Sequence, residues 1–127
     1  MVIEGLLYTK EHEWLKKEDD VVVMGITDHA QQMLGDITFV ELPEPDSAVK
    51  QGAQIAVVES SKAASDVFSP VSGKITDVNQ ALEDSPEFVN ESCYDQGWIC
   101  KLSLSNPEEL AGLMDGPQYE AFLKDEQ

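Results

Sequence analysis

The sequence predicts a mainly β protein: an antiparallel core of short strands, with a short helix near residues 28–34 and helices at the C-terminus. Short apolar runs such as Val21-Val22-Val23-Met24 and Ile55-Ala56-Val57-Val58 recur along the chain, each bounded by Gly, Pro, Asn or Asp. Many short strands joined by turns argue for antiparallel pairing rather than for alternating strands and helices. Only two stretches, ITDHAQQMLG and the segment after Leu104, switch to helical spacing.

Taken in order, Leu6-Leu7-Tyr8 and Val21 to Met24 are apolar stretches separated by the charged run Lys16-Lys17-Glu18-Asp19-Asp20. That pattern predicts a hairpin with a solvated turn. In ITDHAQQMLG, Thr27 or Asp28 caps a helix, Ala30, Met33 and Leu34 sit at helical spacing, and Gly35 supplies a left-handed stop. From Asp36 the period becomes that of a strand, with Ile37, Phe39 and Glu41 on one face until Pro43, Pro45 and Asp46 end it. A turn over Val49 to Gly52 leads into the strand Ile55 to Val58. Beyond Gly73 come the strand GKITDV, the polar loop NQALEDSPEFVN and the strand GWICKLSL at 97–104.

A faint internal repeat accompanies this grammar. Gly35, Ile37 and Val40 recur as Gly73, Ile75 and Val78, and Gly52 recurs as Asn90, another residue at ease in the left-handed region. The centre of the pattern falls between Lys62 and Ala63, suggesting two half-domains with that turn at one end. At the C-terminus Asn106 caps, Pro107 takes the first helical position, and Glu108 and Glu109 suit a helix start. Leu110, Leu113 and Met114 form a stripe, Asp115-Gly116-Pro117 interrupts it, and Tyr119, Phe122 and Leu123 continue on a second helix. The expected organisation is one domain, 1–127, with a β core over about 6–104 and a helical appendage over about 106–124.

The chain has 127 residues and a formal net charge of −17. Such a field repels nucleic acid and anionic membranes and favours partners with basic docking surfaces. No apolar run approaches the length of a membrane span, and MVIEGLLYTKEHEW is not a secretory signal. The expected location is therefore a bacterial-type cytoplasm, or the mitochondrial matrix if a presequence was removed. Cys93 and Cys100 make neither a disulfide framework nor a zinc site, lacking a Cys-x-x-Cys or a nearby histidine. His12-Glu13 lacks the second histidine of a metalloprotease helix, and the single glycines at turns make no phosphate cradle. No metal is expected.

Lys62 stands out. It occupies a turn between two strands in a chain with 8 Lys and Arg against 25 Asp and Glu. Ser60, Ser61, Ala63, Ala64 and Ser65 leave its amine sterically open, as a modifying enzyme requires, and Glu59 and Asp66 bracket the site. No apolar residues surround the amine to favour its neutral form, so a Schiff-base role is not supported.

VESSKAASDVFSPVSG resembles the lipoyl-attachment segment of the glycine cleavage H-protein family. YTKEHEW, GITDHAQQMLGDITFVELPEP, DVNQALEDSPEFVN and GWICKLSL follow that family's order and spacing, from about Leu6 to the end. Ser61, where the family usually carries valine, and Cys93, where a proline commonly precedes the tyrosine, are departures. The resemblance implies a lipoyl-domain-like barrel-sandwich hybrid with the lysine on a hairpin turn. It also implies a monomeric, non-catalytic carrier with lipoate in amide linkage to Lys62. Implied partners are the pyridoxal-phosphate glycine decarboxylase (P protein), the aminomethyltransferase (T protein), dihydrolipoamide dehydrogenase (L protein) and a lipoate-attaching enzyme. Glu59, Ser61, Ala63 and Asp66 would form the recognised turn. Glu13 and Asp66, with His12 and His29, would line the groove where a cationic aminomethyl arm rests, its ammonium paired with carboxylates.

Three other readings compete. A paralogue relaying lipoyl or octanoyl groups to other lipoate-dependent enzymes is compatible with Ser61. A small thiol enzyme using Cys93 or Cys100 would need a base partner that the sequence does not show. An interaction module with an unmodified lysine is the remaining one. Biotin carriage is disfavoured, because the lysine there usually lies between methionines.

Overall fold

The structure, a computed structural model, describes Ile3 and residues 5–126. Its strands are β1 (Leu7–Tyr8), β2 (Glu13–Glu18), β3 (Val21–Ile26), β4 (Ile37–Glu41), β5 (Ala48–Val49), β6 (Gln54–Ser60), β7 (Ala64–Phe68), β8 (Gly73–Val78) and β9 (Cys100–Leu104). The helices are α1 (Asp28–Leu34), α2 (Ala81–Asp84), α3 (Phe88–Glu91) and α4 (Gly116–Glu126), with a 3-10 helix at Pro107–Gly112 between β9 and α4. The strands form two antiparallel sheets that do not close into a barrel, one in the order β1-β2-β3-β9-β8-β5 and one in the order β4-β6-β7. The mainly β expectation holds. Leu15, Val22, Met24, Val40, Val58, Val67, Ile75 and Leu102 fill the core, where apolar burial is the main favourable term.

Several local expectations change. Leu7–Tyr8 does not pair with Val21–Met24: β1 and β3 both pair with β2, in which Lys16, Lys17 and Glu18 are strand residues, and only Asp19-Asp20 turns, Asp19 at φ 57. An exposed strand face takes charge as readily as a loop does, so the charged run was a poor marker. On β4 the register slips between Ile37 and Phe39. That bulge adds a residue, so the inward positions become Ile37 and Val40 and Phe39 is left 50% exposed. The expected loop after Val78 holds α2 and α3, whose Leu82 and Val89 are fully buried. Asn90 lies in α3, and Gly73 is a strand glycine whose Cβ would collide with the Ser103 carbonyl. Neither repeats the positive φ of Gly52 or Gly35, 88° and 83°.

The C-terminal helical segment lies on the β core as expected and builds a second apolar cluster there. Tyr119 is 1% exposed and its ring stacks on Tyr8 at 4.5 Å, with Leu6, Trp14 and Val23 in the same cluster. Tyr8 and Met114 exchange backbone hydrogen bonds of 2.7 and 2.9 Å. Glu109 lies in the first turn of the 3-10 helix, as expected, and also accepts from the Ser72 N–H at 2.6 Å and from its hydroxyl at 2.8 Å. Trp14 lies on Gly25, its cross-strand partner, and donates its indole N–H to the Cys93 carbonyl at 2.9 Å, the buried partner that an indole needs.

Candidate functional site

Strands β6 and β7 form a hairpin with Ser61, Lys62 and Ala63 at its tip, all exposed. Ser60 organises the tip. Its N–H donates to the Ala63 carbonyl at 2.8 Å, and its hydroxyl oxygen accepts from the backbone N–H groups of Lys62 and Ala63 at 3.3 and 3.1 Å. Sequence reading named Ser60 only as a small neighbour. A serine at the entry to a tight turn, able to bond its own backbone two and three residues on, was the signal available. Glu59 sits opposite Ala64 on β7 and Phe39 on β4, so it braces the base of the hairpin.

Lys62 folds toward α1. A Cβ built on Gly35, just past the helix, would stand 3.3 Å from Lys62 Cε and 3.7 Å from Nζ. Thr27 caps the helix start by accepting from the Ala30 N–H at 3.2 Å. Asn90 secures the other end: its amide oxygen accepts from the Ile37 N–H at 2.8 Å, and its amide nitrogen donates to Gln31 Oε1 at 2.8 Å and to the Gly35 carbonyl at 2.9 Å.

Between α1 and β7 runs an open groove of about 650 Å³. One long wall is the α1 face carrying His29, Ala30, Met33 and Leu34. The opposite wall is Ala64 and Ser65, and Glu11 and His12 also line it. The spacing of 29, 30, 33 and 34 is one helical stripe, so the groove follows the helix axis. Leu34 adjoins Gly35, which places Lys62 at one end and His29 at the other. Met33, expected as an apolar helix position, is 68% exposed here and serves the groove instead of the core.

The expected groove residues separate into two sets. His12 and His29 meet, ring centroids 4.6 Å apart. His12 stands at φ 68 in the turn after Thr9, and its Nδ1 lies 2.8 Å from Tyr119 Oη. Glu13 and Asp66 are elsewhere. Glu13 is 2% exposed, accepting from the Thr9 hydroxyl at 2.7 Å and from the Phe68 N–H at 2.9 Å, and so it ties β2 to β7 across the two sheets. Burial pushes its carboxyl up to about 7, against those two hydrogen bonds, which favour the charged form. Asp66 is exposed on β7 and accepts from Gln54 Nε2 at 3.1 Å. It does not line the groove, whose β7 wall is Ala64 and Ser65. Glu11, which sequence reading passed over, is the carboxylate that lines it.

The cysteines lie apart from this site. Both are buried and free, and burial pushes each thiol up to about 12. Among the described residues no group of three or more His, Cys, Asp or Glu is arranged to hold a metal ion. No described helix is long and apolar enough to cross a membrane.

Comparison with known proteins places these features in one family. A family model described as "Glycine cleavage H-protein" matches residues 6–126. A protein of Salmonella arizonae named "Glycine cleavage system H protein" is 56% identical over 122 residues, 95% of each chain. One of the same name from an Anaeromyxobacter species is 47% identical over 124 residues, 98% of this chain and 97% of the relative. The crystal structure of a glycine cleavage system H protein from Mycobacterium marinum superposes with a TM-score of 0.88 at 32% identity, covering 94% of this chain and 97% of that one.

Proposed function

Because the chain belongs to the glycine cleavage H-protein family, we propose that Lys62 is the residue through which it works, as the attachment point of a lipoyl group in amide linkage. The protein is a lipoyl carrier of the glycine cleavage system. The observation that carries the assignment to Lys62 is its place at an exposed hairpin tip with the groove along α1 beside it. When bound, the lipoyl group supplies a dithiolane that accepts a one-carbon unit and electrons.

The residues present fit such a group. Ser60 holds the tip rigid, while Ser61 and Ala63 keep the amine accessible to an attaching enzyme that reads Glu59 and Asp66 beside it. Ala30, Met33, Leu34 and Ala64 offer an apolar wall for an aliphatic chain, whose burial is worth about 0.8 kcal/mol per methylene. Glu11 is the first carboxylate to pair with a cationic group on the arm, with Glu13 deeper and Asp66 on the outward side of β7. The protein itself is non-catalytic in this reading and works with other components of the system: a glycine decarboxylase, an aminomethyltransferase and a dihydrolipoamide dehydrogenase. The charge of −17 steers basic docking surfaces toward it, and a tethered arm gives each docked site a high effective concentration. A monomer in the cytoplasm is the state that serves several partners in turn.

Intact mass after expression with lipoate tests the assignment. A lipoyl increment is expected on the wild type and none on Lys62→Arg. An increment that persists in the variant, or is missing from the wild type, refutes it.

A further inference from the structure

The two histidines lie at the end of the groove remote from Lys62. Gly35, beneath the lysine amine, is six residues beyond His29, which at the helical rise is about 9 Å. A lipoyl chain spans about the same distance from its amide nitrogen to its first sulfur, counted in covalent bond lengths. An arm lying along α1 therefore ends its sulfurs at the imidazole pair. This step rests on the carrier reading of Lys62.

The pair is built into the fold. Tyr119 Oη lies 2.8 Å from His12 Nδ1 and 2.8 Å from Thr27 Oγ1. Thr27 caps α1 and its N–H donates to the His12 carbonyl at 3.0 Å, so one cap orients His12 and starts the helix that carries His29. The ring of Phe122 packs 6.0 Å from His12. His29 makes no hydrogen bond among the described residues, and its ring lines the groove. The titratable and charged groups beside the pair are Glu11, which lines the groove with it, and Tyr119 from α4, while Asp28, next to His29 on α1, is bonded by Gln31 and Gln32 and lines a separate cavity with Cys93 and Tyr94. Glu13 lies deeper, and β7 contributes only Ala64 and Ser65.

We propose that His12 and His29 form an acid–base seat for the thiol of the reduced arm. An imidazole nitrogen takes the proton of the S–H, the electron pair of that bond stays on sulfur, and the imidazolium and thiolate remain paired at the groove end. Imidazole is the side chain that exchanges a proton near neutral pH. A thiolate beside an imidazolium forms at a lower pH than an isolated one. The proton returns to sulfur when the thiol is regenerated.

Alkylation tests this directly. Lipoylated protein, its increment on Lys62 confirmed by mass, is reduced, and the rate of arm alkylation by iodoacetamide is followed between about pH 5 and pH 10. Cys93 and Cys100 do not compete, being buried with thiols pushed up to about 12. His29→Gln, on a half-buried helix position, is expected to alkylate about tenfold more slowly near pH 7 and equally fast at the alkaline end, where the thiol ionises unaided. His12→Gln should act in the same direction. Superimposable profiles for wild type and His29→Gln overturn the proposal and leave the carrier reading standing. A wild type without the lipoyl increment overturns both.

Discussion

Lys62 rests on Gly35: the lysine Cε and Nζ approach to 3.3 and 3.7 Å of the position where a Cβ on Gly35 would stand. Gly35 also has φ 83, a conformation that costs an L side chain energy. Gly35→Ala is therefore expected to destabilise by about 1 kcal/mol or more and to push the lysine stem off the helix end. Urea unfolding should show the first effect, and a slower rate of lipoyl attachment the second. A variant as stable and as quickly modified as wild type would contradict this contact.

Ser60 and Ser61 differ although they are adjacent. Ser60 accepts from two backbone N–H groups, whereas Ser61 is exposed and makes no hydrogen bond among the described residues. Ser60→Ala should cost about 1 kcal/mol and slow attachment at Lys62. Ser61→Ala should stay within about 0.5 kcal/mol. Chemical denaturation of the two variants side by side decides between an organised and an indifferent turn.

Glu13 makes stability depend on pH in a definite direction. Its folded-state value, about 7, lies above its ordinary 4.5, so the folded protein binds the proton more tightly than the unfolded chain. The protonated carboxyl favours the fold below pH 4.5, and that contribution is lost as pH rises through about 7. At about 1.36 kcal/mol per pH unit the interval is worth roughly 3 kcal/mol at most. Glu13→Gln cannot titrate, so its stability relative to wild type should rise across this window. Urea midpoints of both proteins at the two ends of the window measure it. A constant difference would show that the carboxyl does not titrate there.

Tyr119→Phe removes the hydroxyl beside His12 and Thr27 and keeps the ring stacked on Tyr8. A cost of about 1–2 kcal/mol follows from the partners left behind. Tyr119→Ala, which also empties the ring's site, should cost about 3–5 kcal/mol. Thermal unfolding of the pair separates the two contributions.

Cys93 and Cys100 should resist thiol reagents in the native protein near neutral pH and react promptly in urea. Burial raises both thiols to about 12, and the thiolate is the reactive form. Prompt native labelling of either would revive the reading of a thiol enzyme.

Much of the fold was legible because its signals are local. Thr27 as a cap, the helix ending before Gly35, the β6–β7 hairpin and the strand GKITDV follow from capping and period two. Phe39 was misplaced because a bulge shifts the period without any mark in residue type. The family resemblance implies Asp66 in the groove, but the β7 wall there is Ala64 and Ser65, and Asp66 bonds Gln54 instead.

By itself, then, the sequence determined that the chain is mainly β and that Lys62 stands on a tight turn with small neighbours, because these follow from residues close in the chain. Only the tertiary structure decided that Glu13 bonds Phe68, that His12 meets His29, and that Tyr119 closes a second core over Tyr8. Those pairs depend on how two sheets and a terminal helix approach one another, and nothing in the spacing of distant residues encodes that approach.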